Sequence, residues 1–239
     1  MSNDSIYISK RFYKNSFLFL SLGLLAVIIG FSQSVTSRFS TFTWVYHVHG
    51  ISATLWMILL IIQPLTYRFD KLKAHRIIGW TSLILVPVIV VAGSIMMKNM
   101  ILNQDNYPPQ TVYKLAFIDA TTLVAFIGFY SLGIYYRKKL KLHARFMVCT
   151  IFAPLIPALT RVFFVLNLAG GFNSALTYSY LVIELAILII LFRERKATEI
   201  KFTYLPALIF IIVQHLLMYD ANNWDWWIHF MDYYAGTNV

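Results

Sequence analysis

The sequence predicts an all-α protein: a seven-helix transmembrane bundle forming a single integral membrane domain over residues 1–239. Three observations predict it. Of the 239 residues 59% are hydrophobic and only 13% charged, whereas soluble domains carry roughly 25% charged residues. Seven apolar runs approach or reach the ~20 residues needed to cross a hydrocarbon layer about 30 Å thick. The lysines and arginines crowd into alternate connectors between those runs. A membrane β-barrel would show segments of about ten residues with alternating polarity, and these runs do not alternate. A helix also satisfies every backbone polar group within its own segment, as lipid demands.

The first run, 17–33, follows the basic residues Lys10, Arg11 and Lys14 in the manner of a secretory signal. No small-x-small cleavage site follows in GFSQSVTSRF, so it reads as an uncleaved helix. The second, 43–67, opens on two histidines, His47 and His49. His49, Trp56 and Gln63 recur every seven residues and so share one face, taken as inward. His47 lies about 200° around a helix from His49. The two could hold one ion only if the chain were still extended there, where i and i+2 share a side. The third run is 77–97. The fourth, 112–135, contains Asp119, and the fifth, 146–168, contains Arg161 and the single cysteine, Cys149. One cysteine excludes an intramolecular disulfide and a Cys-based metal site. The sixth, 176–192, carries Glu184, and the seventh, 202–219, carries His215. The remainder, 220–239, contains NNWDWWIHFMDYY. It reads as an external aromatic tail at the membrane interface.

Sixteen basic residues flank the N-terminus and the connectors after the second, fourth and sixth runs, against three (Arg38, Lys98 and Lys114) in the other connectors. By the positive-inside rule the N-terminus is cytoplasmic and the C-terminus external. The expected location is the inner (cytoplasmic) membrane, crossed several times. The net charge of +10 then reflects topology and attraction to anionic lipid headgroups at the cytoplasmic face, with no nucleic-acid partner implied.

In that orientation His49, Asp119, Arg161, Glu184 and His215 all lie in the outer half of their spans or at its boundary. Ionisable groups within a membrane usually face the bundle interior or a wet cavity. They are expected to converge on an outward-open polar chamber lined by Asp119, Arg161 and Glu184, extended along the second helix by Trp56 and Gln63. Arg161 is expected to touch at least one acid. The alternative is a purely structural ion pair. His47, His49 and His215 are the candidate metal ligands of this outer group.

Two junctions read alike. TYRFDKLKAHRIIGW and YYRKKLKLHARFMV align Tyr67 with Tyr135 and KLKAH with KLKLH at a constant offset of 68. Two like hairpins suggest that the second to fifth helices form a duplicated core about a twofold axis along the membrane normal. His75 and His143 would then face each other at the cytoplasmic level.

HVHG-x5-W-x6-Q, AHRIIG and LHARFM…PALTR together resemble a family of bacterial polytopic membrane proteins without an established activity, which implies a helical bundle. The opening of the third helix, His-Arg-x-x-Gly, also resembles helices of haem A synthase and other membrane cytochromes b. That resemblance implies haem b as cofactor, with His75 as iron ligand, Arg76 as propionate partner and Gly79 packing against the ring. His143 would be the second ligand, since two neutral imidazoles on facing helices can clamp a haem iron.

No Walker sequence, nucleophile elbow or His-Glu-x-x-His is present. The seventh run has one histidine, not the pair four apart of adiponectin-receptor-like zinc hydrolases, and no lysine for a retinal Schiff base. Three functional readings follow: a haem- or metal-binding membrane redox protein, a proton-linked transporter or sensor for a small solute, and an accessory protein without a site.

Overall fold

The computed structural model describes residues 15–108 and 111–237; Lys10, Arg11 and Lys14 lie outside them. Among the described residues there is no strand, and seven helical segments are long and apolar enough to cross a membrane. The chain is a multi-pass helical membrane protein.

The helices are α1 Ser16–Arg38, α2 Trp44–Arg68, α3 Leu72–Trp80, α4 Ser82–Leu102, α5 Val112–Tyr135, α6 Leu140–Cys149, α7 Phe152–Val165, α8 Phe172–Arg193, α9 Tyr204–Leu217 and α10 Asp225–Ala235. The third and fifth spans are each built from two helices, α3 with α4 and α6 with α7. They begin earlier than hydropathy alone suggests, because LKAH and LKLH are polar first turns of helices whose apolar residues follow. The breaks have local causes. Thr81 Oγ1 donates to the Ile78 carbonyl at 2.7 Å and Thr150 Oγ1 to Met147 at 2.6 Å, bonds that compete with the helical ladder. Pro154 in addition cannot donate to the Thr150 carbonyl one turn back.

Three turns place a left-handed residue just past a helix end. Asp70 (φ 58°), Asn167 (φ 52°) and Gly236 (φ 77°) take that position. In each case the next amide reaches back to a carbonyl five residues earlier: Lys71 to Thr66, Leu168 to Phe163, and Thr237 to Asp232. Asp, Asn and Gly are the residues that tolerate this conformation.

The spans close into a ring. α1 packs on α2 and α7, α2 on α4, α4 on α5, α7 on α8 and α8 on α9. Gln214 closes it by donating from α9 to the Ile118 carbonyl and toward Thr121 and Thr122 of α5. Gly30 allows α1 to approach α7 closely, since a Cβ there would run into the Ala158 carbonyl oxygen. Trp56 is buried at the centre, edge-on to Phe126 and Tyr130, with its N–H on Thr150 Oγ1 at 3.2 Å. Large apolar residues such as Leu22, Ile84, Val124 and Leu185 face outward, as a lipid-facing surface requires.

The basic connectors gather at one end of the bundle, called here the basic end; the other is the tail end. The tail does more than lie along an interface. Its α10 buries Trp227, Met231, Asp232 and Ala235 against α4 and α5. Trp227 donates to the Tyr113 carbonyl at 2.9 Å, Tyr113 to Asp232 at 2.7 Å and Tyr234 to the Ser94 carbonyl at 2.6 Å. Burial raises the pKa of the Tyr234 phenol, so it stays a donor. The opposite face exposes Trp226, Phe230 and Tyr233, so the helix is amphipathic with an aromatic outer face.

Candidate functional site

Four helices bring polar side chains together toward the tail end. On α8, Tyr180 and Glu184 are one turn apart; His215 stands in the last turn of α9 and Tyr219 in the turn just past its end. His215 Nδ1 and Glu184 Oε1 are 2.9 Å apart, both side chains largely buried. The Tyr180 ring stacks on the imidazole with centroids 4.6 Å apart and planes 10° from parallel. On the far side His215 Nε2 lies 3.4 Å from the Tyr219 hydroxyl, which is 2.6 Å from Thr177 Oγ1, and Thr177 donates to the Asn173 carbonyl at 2.8 Å.

This chain accommodates both protonation states of the histidine. A carboxylate only accepts, so Nδ1 carries a proton. With imidazolium, Nε2 donates to Tyr219, Tyr219 to Thr177 and Thr177 to Asn173. With neutral imidazole, Tyr219 turns its single proton to Nε2 and Thr177 turns its own to Tyr219. Two hydroxyl rotations thus accompany one proton.

Asp119 on α5 shares the face that carries Phe126, Tyr130 and Gly133, seven, eleven and fourteen residues further on, all buried. Asp119 nevertheless remains solvent-accessible. A residue on the inward face of a packed helix is accessible only where the neighbouring helices leave an opening. Asp119 acts electrostatically on Arg161 of α7 and on Tyr180 of α8, and Tyr180 also feels Glu184. The Tyr180 hydroxyl is buried and has no hydrogen-bond partner among the described residues. Tyr180 thus feels Asp119 and at the same time stacks on the histidine that Glu184 holds.

Arg161 touches neither acid: no ion pair within 4.0 Å joins it to Asp119 or Glu184, contrary to the expected contact. Glu184 is taken by His215. The guanidinium is held from behind, with Nη1 donating to the Pro157 carbonyl at 2.9 Å and its carbon 4.4 Å from the centroid of Phe31. Lys114, which sequence groups with the connectors, is buried at the tail end of α5. Its Nζ donates to Asn173 Oδ1 at 3.1 Å and lies 5.7 Å from the Tyr219 ring centroid. No sequence signal separated it from a surface lysine.

The other expected members stand apart. Trp56 belongs to the core. Gln63 sits toward the basic end, where its Nε2 donates to the His75 carbonyl at 3.2 Å. His47 and His49 are both helical, within α2, so the extended geometry that would let them share an ion does not occur. His47 packs on Phe39 and Phe42, while His49 lies against Gly93, its Cε1 3.3 Å from where a Cβ would stand. Its Nδ1 is buried and meets no hydrogen-bonding geometry, although the Ile89 backbone faces the ring. His215 is with Glu184 instead. Among the described residues no group of three or more His, Cys, Asp or Glu side chains is arranged to hold a metal ion.

At the basic end His75 and His143 do meet. Their ring centroids are 6.3 Å apart and the planes 74° from parallel. His143 Nδ1 donates to the Gly133 carbonyl at 2.8 Å, and His75 Nδ1 lies 3.3 Å from both the Gln63 carbonyl and Thr66 Oγ1. Carbonyls accept only, so in the neutral rings both Nε2 atoms keep a free lone pair. The rest of the haem-like set is otherwise disposed. Arg76 is exposed, and the space above Gly79 is taken by the Gln63 amide, whose Nε2 lies 3.4 Å from where a Cβ would stand.

One further pair was not foreseen from sequence. Arg145, in the second hairpin motif, is 2% exposed and donates through Nε and Nη2 to Glu194 Oε2 at 3.0 and 2.7 Å, with Glu199 3.7 Å away. The connector RERKATEIK reads as a basic loop, yet its two acids fold back onto this arginine.

Comparison with known protein families, with characterised proteins and with solved structures finds no match. The class that fold and site define is therefore a multi-pass helical membrane protein with a polar cluster inside its bundle.

Proposed function

We propose that the protein is a transporter or sensor for a small polar solute, with binding linked to a proton. The observation that carries this is Asp119: an acid on the inward face of α5 that remains accessible. Charged groups within a membrane are costly and are retained at substrate paths and proton relays. The Glu184–His215–Tyr219–Thr177 chain supplies the proton-linked element beside it, with Tyr180 common to both. The N-terminus is cytoplasmic, the tail end external and the membrane the inner one, on the strength of the basic connectors; anionic headgroups lie against the basic end. The matching positions of His75 and His143, each bonded to the helix before it, support a duplicated core.

The test is chemical accessibility. Cys149 is buried, so the native chain is a quiet background for thiol labelling. Asp119→Cys should react with a membrane-impermeant thiol reagent added to the tail side, whereas Val124→Cys, on the outward face, should not. Failure of Asp119→Cys to react from either side would overturn the chamber.

A second reading rests on His75 and His143. Two imidazoles holding one metal from opposite sides at about 2 Å place their centroids roughly 6 Å apart. The pair matches that spacing and has both Nδ1 atoms anchored, as metal-binding histidines do. The surroundings do not match the haem set, since Gly79 is covered and Arg76 points away. This reading is a haem- or metal-binding membrane redox protein, tested by visible absorbance and metal content of the purified protein. A colourless, metal-free preparation that takes up neither would remove it.

A further inference from the structure

We propose that the solute of the chamber is a small zwitterion of the amino-acid class, its carboxylate held by Arg161 and the Tyr180 hydroxyl and its ammonium by Asp119. The proposal rests on the chamber reading above and adds the chemistry of the occupant.

Asp119 and Arg161 are opposite charges on facing helices that act on each other without closing to contact. A pair serving only to join helices gains most by closing, because desolvation is offset only at hydrogen-bonding distance. Here closure is opposed. The guanidinium is tied to its own helix through the Pro157 carbonyl and lies on the Phe31 ring, which α1 carries into place where Gly30 meets Ala158. The two charges are thus held apart as separate binding elements.

The Tyr180 hydroxyl is the second, independent sign of a missing partner. It is fully buried, stacked on His215 and without a hydrogen bond among the described residues. Buried polar groups are normally satisfied. Its neighbours Asp119 and Glu184 are acids. Glu184 is engaged by His215, so it does not compete for the ammonium.

The charges also set selectivity. Arg161 and Asp119 sum to zero, so a neutral but charge-separated solute leaves neither stranded. A simple carboxylate would satisfy Arg161 and leave Asp119 unpaired, and a simple amine would do the reverse. Each costs binding by leaving one charge of the pair uncompensated.

The experiment uses the whole chain in lipid nanodiscs and measures binding of glycine, alanine, β-alanine and γ-aminobutyrate beside propionate and propylamine. At least one zwitterion should bind about ten-fold or more tightly than both single-charge probes. Asp119→Asn and Arg161→Gln should each abolish that preference, and Asp119→Glu should retain part of it. In Asp119→Asn, propionate binding should persist, which separates lost recognition from lost folding. Propionate or propylamine binding as tightly as every zwitterion would overturn the proposal. So would no binding by any probe, or zwitterion binding indifferent to Asp119→Asn. Thiol labelling at position 119 would still report the chamber in those cases, so the two ideas fail separately.

Discussion

Glu184 and His215 meet across α8 and α9 with 2.9 Å between carboxylate oxygen and Nδ1, under a Tyr180 ring stacked 4.6 Å from the imidazole. Neither residue has a neighbour in sequence that announces the other. The bond joins two spans and orders the proton-bearing chain that runs on to Tyr219 and Thr177. A double-mutant cycle of Glu184→Gln and His215→Gln should give a coupling of roughly 0.5–2 kcal/mol. Thermal unfolding in detergent at fixed pH measures it, and strictly additive effects would show that the two do not interact.

Arg145 is nearly inaccessible and doubly bonded to Glu194. Arg145→Leu should leave that carboxylate without its main partner and destabilise by about 3–5 kcal/mol. Arg145→Lys should recover little, because an ammonium cannot reproduce the two-nitrogen contact. Lys141→Ala removes only an exposed contact to Glu199 at 3.4 Å and should change stability by less than about 1 kcal/mol. Equal losses for all three would refute the distinction.

Gly30→Ala places a methyl carbon onto the backbone of Ala158, where no side chain can yield. α1 must then move away from α7, at a cost of about 1–3 kcal/mol, and Phe31 moves off Arg161. Solute recognition should fall together with stability. Gly128→Ala, with open space around it, is the control and should have little effect on either.

Tyr113→Phe removes the hydroxyl that meets the largely buried Asp232. An unsatisfied buried acceptor costs about 1–3 kcal/mol, so α10 should loosen. Hydrogen exchange over residues 225–235 should rise while the spanning helices keep their protection. Unchanged exchange would mean that α10 is held mainly by Trp227 and Met231.

Topology reporters fused after Lys73, Lys139 and Lys196 should all report cytoplasm, and one fused after Thr237 should report the exterior. An external signal at any of the first three would break the orientation derived from the basic connectors.

Much of the architecture was legible because lipid imposes one-dimensional rules. Length, apolarity and helical hydrogen bonding suffice to define seven spans, and none requires knowing which span lies beside which. Span ends were less legible. LKAH and LKLH look like loop because their polarity belongs to headgroup-level first turns, and α3 and α6 begin there. The polar cluster was half legible. Depth alone grouped His49, Asp119, Arg161, Glu184 and His215, since depth can be counted along a helix; it could not show that His49 packs against Gly93. Their pairing was expected wrongly: charge suggested Arg161 with an acid, but Pro157 and Phe31 hold the guanidinium and His215 takes Glu184.

By itself, then, the sequence determined that this chain is a bundle of apolar helices with ionisable groups clustered by depth, and that His75 and His143 stand at matching positions. Hydrophobicity and periodicity act along one chain, so both could be read there. Only the tertiary structure decided rotation and partnership. It left Asp119 exposed on a helix face that is otherwise buried and stacked Tyr180 on His215. It laid the Gln63 amide over Gly79 and folded Glu194 back on Arg145. Those outcomes depend on the angle at which each helix meets its neighbours, which close-packing among seven spans sets jointly and no single segment encodes.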